Sequence, residues 1–566
     1  MLPESYVKKS FLQLFLMIIN SFIDLLGLAA IIPLLAALLK KGFIHEQPVL
    51  NSLYENLGFT DDKWFIVFIC LIVFIIIIVK NLFGLWVNKR QMHFSGNIYE
   101  YLSGRMYINT FQRGLDYFNN ENSNKIQNRI VRIPNAFSGV ISVGIFQFLN
   151  ELIVLILIII SITLYDPKII VLLAATIVPV FFLFYKFNGE KIKGLRRKMN
   201  DLQPKIAKPV YELSFGYVDV AISGVFETFK KEFSRYVKQM KVEQVRVSVL
   251  SLVPTRLVEV CVISTVILIL IYGVFVLQEV EKIVTLLGVF GLAAYRIVPS
   301  VNRLMMALIN VKGGEYSIDI IEKFLLKGES TTNDNVDDLK FEDRISISDL
   351  GFKFKKSESW LLNNLDLDIQ KGESIGIVGR SGSGKTTLMN ILLGFIKPVE
   401  GSISVDGVKL DDQNITAWQK IVGYVRQDVF LVDGSIAENI AFGVEKEQIN
   451  DAQIQEAIKT ASLEEFMDTL PDGVDTQIGE RGAKISGGQR QRIGIARAIY
   501  HGAQVLFFDE ATSALDEKTE KEITEAIKSL KEQKLTMVII AHRLSSLKYC
   551  DKIYRVESGG IHLESK

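Results

Sequence analysis

Apolar residues gather in six runs, near 11 to 38, 64 to 88, 137 to 165, 168 to 186, 247 to 278 and 283 to 311. Each approaches or exceeds the roughly 20 residues that a helix rising 1.5 Å per residue needs to cross a bilayer. The first run continues through Ile31-Ile32-Pro33-Leu34-Leu35 with no small-residue cleavage site, so it predicts a retained helix and not a signal peptide. Lysine and arginine concentrate in segments 89 to 136 and 187 to 246, among them Lys89, Arg90, Arg105, Arg113, Lys191, Lys193, Arg196, Arg197 and Lys198. Positive connections stay inside, which predicts both termini in the cytoplasm. Both connections keep helical periodicity and read as extensions of the membrane helices. The outer link, 39 to 63, spaces Val49, Leu50, Leu53, Tyr54 and Leu57 along one face of a short amphipathic helix.

After the last run the pattern changes. Gly328-Glu329-Ser330-Thr331-Thr332-Asn333-Asp334-Asn335 is polar and without period, which predicts a linker. From about residue 341, β-rich apolar segments (Ser374 to Val378, Val505 to Phe508, Met537 to Ile540) alternate with helical patterns, the sign of an α/β domain with a largely parallel sheet. The expected organisation is a multidomain membrane protein: a six-helix transmembrane domain over 1–327, a linker over 328–340 and a soluble domain over 341–566. Composition agrees, because 49% hydrophobic residues beside 22% charged ones fit neither a soluble globule nor a bare helix bundle. The net charge of +1 supplies no field to recruit nucleic acid, so none is expected as a partner. Cys70, Cys261 and Cys550 are spaced neither as disulfide pairs nor as metal ligands.

Chemistry concentrates in the soluble part. Gly379-Arg380-Ser381-Gly382-Ser383-Gly384-Lys385-Thr386-Thr387 follows the apolar Ile375-Gly376-Ile377-Val378 and opens a helical stretch, the context of a phosphate-binding P-loop. Its glycines let backbone N–H groups converge on phosphate oxygens, Lys385 adds a point charge, and Thr386 offers a hydroxyl to Mg2+. The run Val505-Leu506-Phe507-Phe508 ends in Asp509-Glu510. Asp509 is placed to hold Mg2+ and Glu510 to orient and deprotonate an attacking water. Between these motifs, Ile485-Ser486-Gly487-Gly488-Gln489-Arg490 puts small residues ahead of a helical stretch, exposing backbone donors at its start.

With all of these in order, 341 to 566 resembles the nucleotide-binding domain of ABC transporters. The resemblance implies that Ser486, Gly487, Gly488 and Gln489 are the signature that closes on ATP held by a second copy of the domain. It further implies that Gln427, in Val422-Gly423-Tyr424-Val425-Arg426-Gln427, contacts Mg2+, that Asp516 in Ser513-Ala514-Leu515-Asp516 is the D-loop, and that His542 contacts the γ-phosphate. Phe354 stands where relatives carry an adenine-stacking tyrosine and keeps the π-face that stacking needs. Gly479-Glu480-Arg481-Gly482 resembles the segment that touches coupling helices in exporter-type members. One P-loop and one signature per chain imply a dimer, and two intact half-sites favour a homodimer.

Six spans ahead of a C-terminal ATPase resemble the exporter arrangement, in which Leu115-Asp116-Tyr117-Phe118 and Glu212-Leu213-Ser214-Phe215 occupy coupling-helix positions. The informative residues are ionisable groups inside the apolar runs: Asp24, Lys80, Glu151, Arg256, Glu259, Arg296 and Arg303. Each costs at least about 2.5 to 3.5 kcal/mol if unpaired in hydrocarbon. Internal ion pairs are one explanation. The other is a substrate cavity: Pro254-Thr255-Arg256-Leu257-Val258-Glu259 and Tyr295-Arg296-Ile297-Val298-Pro299-Ser300-Val301-Asn302-Arg303 resemble segments of bacterial lipid-linked oligosaccharide flippases. Arg296 and Arg303 are two helical turns apart and would form a basic track about 10 Å long, suited to a pyrophosphate head group. The resemblance adds Lys80 and Arg256 to that cavity. The expected function is ATP-driven flipping or export of a polyprenyl-pyrophosphate-linked saccharide across the bacterial cytoplasmic membrane. A drug or lipid exporter of the same architecture is the first alternative, and a non-transporting ATP-gated sensor the second.

Overall fold

The computed structural model describes residues 2–29, 43–165, 167–272, 275, 280–325, 339–354, 357–479, 482–510, 517–541 and 543–564, with backbone alone along parts of several helices. The chain divides into two compact units, Met1–Ser330 and Thr331–Lys566.

The first unit is helical. Among the described residues, long helices lie on each of the six apolar runs: α1 (Glu4–Ala29), α3 (Asp62–Phe111), α5 (Val143–Tyr165), α6 (Pro167–Phe215), α7 (Phe226–Tyr272) and α8 (Val280–Leu325). The short helices between them include α2 (Pro48–Asn56) and α4 (Gly114–Asn120). At 50 residues, α3 is roughly 75 Å long, more than twice a hydrocarbon core, so it projects well beyond the apolar run predicted for it. Among the described residues, Glu4–Asp24, Asp62–Phe111, Ser123–Ile160 and Phe226–Leu268 are long and apolar enough to span a membrane. The predicted fourth run and the first half of the predicted sixth fall on α6 and α8 where few side chains are described.

Large apolar side chains such as Phe74, Ile75 and Leu82 on α3 face outward. That is the pattern of a surface solvated by lipid tails. The interior is sealed where α3, the approach to α5 and α8 meet: Leu102, Met106, Ile133 and Ile321 are all fully buried. Helices approach closely at glycines. A Cβ on Gly314 of α8 would stand 2.5 Å from Ile141, and one on Gly144 would stand 3.3 Å from the Ala307 carbonyl.

The approach to α5 holds what the sequence did not predict, two π-helical turns, Asn128–Arg132 and Phe137–Ser142. Wide turns disturb the regular carbonyl ladder. Here α3 compensates: Ser103 donates to the Ile130 carbonyl at 2.6 Å and Ser95 to the Ser138 carbonyl at 2.5 Å.

The second unit is α/β. An antiparallel sheet of order β2-β1-β4-β5 uses Arg344–Phe352 (β1), Leu362–Gln370 (β2), Glu400–Val405 (β4) and Val408–Lys409 (β5). A second sheet has the order β10-β9-β3-β8-β7-β6, from Ser374–Val378 (β3), Val422–Val425 (β6), Val505–Asp509 (β7), Thr536–Ile540 (β8), Lys552–Glu557 (β9) and Gly560–Glu564 (β10). Every pair in it is parallel except β9 with β10. Covered on both faces, β3 and β8 are buried at every position. Strand β7 shows how: Val505 and Phe507 join one core with Leu388, Leu392 and Trp418, whereas Leu506 and Phe508 join another with Ile493 and Ala496. The helices that matter below are α9 (Lys385–Leu392), α10 (Gly487–Tyr500) and α11 (Glu517–Glu532).

Candidate functional site

The sheet register assembles the site. Asp509 is paired with Ile540, and Ile540 with Ile377, so β3, β8 and β7 end level with one another. At about 4.8 Å per strand, this puts the loop leaving β3 and the carboxylates ending β7 within about 10 Å at one sheet edge. Crevices at the carboxyl ends of parallel strands are where such folds bind ligands.

The loop from β3 to α9 is shaped by its glycines. A Cβ on Gly379 would lie 2.5 Å from the Val556 carbonyl, and Gly384, at φ +103°, would press one within 2.9 Å of Leu362. Lys385, 5% exposed, folds back to donate to the carbonyls of Gly379 at 2.8 Å and Arg380 at 3.0 Å. Ser383 Oγ is buried with no hydrogen-bond partner among the described residues. An ammonium and an orphaned hydroxyl on one glycine-rich loop form a cradle that a phosphate would satisfy. Arg380, Ser381, Gly382 and Thr386 are exposed around it, and Thr387 is half-buried in the first turn of α9.

At the end of β7, Asp509 is half-buried and accepts a hydrogen bond from the Tyr424 hydroxyl at 3.1 Å. Burial holds its carboxyl above the usual range; the Tyr424 hydrogen bond pulls it back, the charge of Glu510 pushes it up, and Arg426 and Lys385 pull it down. Burial, and then Asp509, push the Tyr424 phenol well above its ordinary value, so it stays a neutral donor. Glu510 sits at φ +52°, a left-handed conformation unfavourable for a residue with a Cβ, while its N–H continues the ladder to the Ile540 carbonyl at 3.0 Å. Such strain collects at functional positions, where the surroundings fix a side chain's aim.

Ser486 and Gln489 form a reciprocal capping box at the start of α10. The Ser486 hydroxyl accepts from the Gln489 N–H at 3.3 Å, and the Gln489 amide oxygen from the Ser486 N–H at 2.8 Å. Gly488 packs so tightly that a Cβ would fall 1.8 Å from Thr519 Cγ2 on α11. Gln427 is exposed just after β6, and its carbonyl accepts from Gln491 of α10 at 3.4 Å. Phe354 lies two residues past Phe352, whose register partner Leu362 abuts Gly384. Phe354 is 54% exposed, with its ring set edge-on to Phe352 at 5.2 Å, leaving a face of the ring open.

Asp516 and His542 lie outside the described residues, as do Glu480 and Arg481. The segment around His542 is nonetheless anchored: Arg543 and Ser545 both donate to Glu520 of α11. Tyr424, Gln491 and Glu520 were not singled out from the sequence. Their roles depend on which strands and helices adjoin, and no local signal carries that.

Among the described residues, three of the four candidate cavity cations occupy separate ion pairs. Lys80 of α3 meets Asp24 of α1 at 3.0 Å, Arg303 of α8 meets Glu151 of α5 at 2.5 Å, and Arg256 meets Glu259 one turn along α7 at 3.1 Å. The Glu151 side chain is 5% exposed and that of Arg303 41%, so the carboxylate is buried while part of the guanidinium remains accessible. The Arg296 side chain lies outside the described atoms.

A transmembrane bundle and a P-loop ATPase sheet in one chain form the combination found in ATP-driven transporters. The family described as the ABC transporter transmembrane region matches residues 10–292, half of the chain, and the family described as ABC transporter matches residues 362–513.

The chain belongs to the ABC transporters.

It has the exporter half-transporter arrangement, a membrane domain followed by an ATPase domain. Members of this family couple ATP hydrolysis to transport. Two similar relatives are both named ATP-dependent lipid A-core flippase. That of Alkalilimnicola ehrlichii is 45% identical over 217 residues, 38% of this chain and 36% of its own length. That of Bordetella avium is 26% identical over 93% of this chain and 90% of its own. The match thus spans about a third of the first relative and nearly all of the second. Among solved structures, a bacterial Atm1-family ABC exporter with ATP bound shares the fold at a TM-score of 0.79. It is 21% identical, over 99% of this chain and 94% of that one.

Proposed function

We propose that this ABC transporter works as a homodimer in the bacterial cytoplasmic membrane, using ATP to flip an anionic glycolipid from the cytoplasmic leaflet. The observation that carries the ATPase reading is the shared sheet edge, where Lys385 and the orphaned Ser383 hydroxyl stand beside Asp509 and Glu510. Lys385, Ser383 and the loop N–H groups bind phosphates, and Phe354 stacks on adenine. Thr386, Asp509 and Gln427 hold Mg2+, which when bound neutralises charge on the phosphates. Glu510 takes the proton of the attacking water, and His542 holds the γ-phosphate. Asp516 and the signature Ser486–Gln489 serve the ATP of the opposite chain, so neither copy acts alone.

Lipid as substrate is supported by relatives named for lipid A-core flipping. The finer assignment, a polyprenyl-pyrophosphate-linked saccharide, is supported by the Arg296 to Arg303 string and by the accessible Arg303 guanidinium, which can exchange Glu151 for a phosphate. Lys80 and Arg256 belong to the same proposed cavity. The test is ATPase activity of the reconstituted protein with a polyprenyl-pyrophosphate saccharide, a lipid A-core glycolipid or a zwitterionic phospholipid. Stimulation by the first alone supports the finer reading, and stimulation by both glycolipids supports the coarser one. Stimulation by neither, with phospholipid or drugs active, overturns both.

A further inference from the structure

The described end of the last membrane helix is fastened to the segment that follows α3. Phe324, next to last of the described residues of α8, is 6% exposed and presents its backbone carbonyl to Arg113. Arg113, the residue before α4, donates to that carbonyl from Nη2 at 2.9 Å. Its guanidinium also lies over the Phe324 ring at 3.9 Å and donates from Nε to Asn109 Oδ1 at 3.2 Å. A planar guanidinium makes both contacts at once; an ammonium cannot. Arg129 sits 5.9 Å from the centre of the same ring and donates to the Tyr117 hydroxyl of α4 at 2.7 Å. Arg129 is held in turn by Glu121 at 2.8 Å. Tyr117 closes the ring of contacts, edge-on to Phe324 at 6.3 Å. The partners Arg113 and Phe324 are 211 residues apart in sequence, and next to α8 the chain leaves for the ATPase domain.

We propose that Arg113 and Arg129 clamp the end of α8 to α4, so that the two move as one body and displacement at either is delivered to both α3 and α8. This rests on the reading of the chain as an ATP-driven transporter with α4 in a coupling position. It assigns Arg113 and Arg129 a positioning role: they touch neither nucleotide nor lipid, and they set how much of the ATPase cycle reaches the membrane helices.

The experiment reads the clamp in two ways on the full-length protein. Spin labels at the exposed Asn119 and Lys323 positions, in a chain with its three cysteines replaced and diluted with unlabelled chain, report the distance between α4 and α8. Liposomes with a fluorescent polyprenyl-pyrophosphate saccharide report lipid moved per ATP hydrolysed. The native chain should keep one distance with and without ATP–vanadate trapping. In Arg113→Gln/Arg129→Gln the distance should broaden on trapping, and lipid moved per ATP should fall about fivefold or more, within the range of allosteric couplings, while ATPase persists. Arg113→Lys, which keeps the charge and loses the planar stack, should show the same change in weaker form and serves if the double variant does not fold. A native distance that changes on trapping, an unaltered distance in the variants, or ATPase and transport falling in proportion would each overturn the clamp. If the native chain moves no lipid, the transporter reading fails, and the distance measurement still decides the clamp.

Discussion

Tyr424→Phe removes the hydroxyl that donates to Asp509 Oδ2 at 3.1 Å and leaves the ring in place on β6. A hydrogen bond to a charged group contributes about 1.5 to 3 kcal/mol, and the half-exposed setting of Asp509 argues for the low end. At 1.36 kcal/mol per unit, about 1.5 kcal/mol is about one pKa unit. The sign follows from which form is stabilised. The phenol favours the carboxylate, so its loss raises an Asp509 pKa that burial already holds above the usual range. Only the carboxylate holds a divalent cation, so activity should be lost at higher pH as the solution is acidified. The assay is ATPase rate against pH at saturating ATP and two Mg2+ concentrations. The acid limb of Tyr424→Phe should lie about one unit above the native limb at low Mg2+ and move back toward it at high Mg2+, with the alkaline plateau preserved. Superimposed acid limbs would refute the reasoning. So would an equal fractional loss at every pH, which would make Tyr424 a packing residue only.

Three further outcomes are expected. Glu510→Gln should bind ATP and trap a closed dimer while phosphate release falls by about 10^2 to 10^4; hydrolysis at the native rate would remove Glu510 from the general-base role. Gly488→Ala should destabilise the ATPase domain by about 1 to 3 kcal/mol through overpacking against Thr519. Adding Thr519→Ala should restore the melting temperature, and no recovery would mean that Thr519 is not the obstacle. Removing one partner of a buried ion pair costs about 3 to 5 kcal/mol, and the burial of Glu151 against the accessibility of Arg303 makes the pair asymmetric. Arg303→Ala should therefore lower the melting temperature in detergent more than Glu151→Gln does, with the double variant recovering part of the loss; equal effects would argue against a buried Glu151.

The two-domain exporter fold was legible because each of its signals is contiguous. A membrane helix must be apolar along its whole length, and a P-loop must place glycines, lysine and threonine within nine residues between a strand and a helix. Pairings between distant segments were not legible. The sequence supplied Lys80, Arg256 and Arg303 together with Asp24, Glu151 and Glu259, yet no spacing rule joins Arg303 to a carboxylate 152 positions away. The Tyr424 hydrogen bond to Asp509 follows from β6 lying beside β7, which sequence order does not fix. The π turns at Asn128–Arg132 and Phe137–Ser142 flank Pro134, but what stabilises them is a pair of serines on another helix. The contacts at Phe324 are illegible for the same reason: in the sequence Arg113 is one more positive charge in a connection between apolar runs.

The central claim is ATP-driven movement of an anionic glycolipid, and head-group accessibility in proteoliposomes tests it most directly. With a fluorescent polyprenyl-pyrophosphate saccharide in the leaflet on the ATPase side, Mg-ATP should make the head group reachable by a quencher on the opposite side. The signal should be absent with Glu510→Gln and with ATP withheld. Steady ATP hydrolysis by the native protein with the head group never crossing, for this lipid and for a lipid A-core glycolipid alike, would contradict the account.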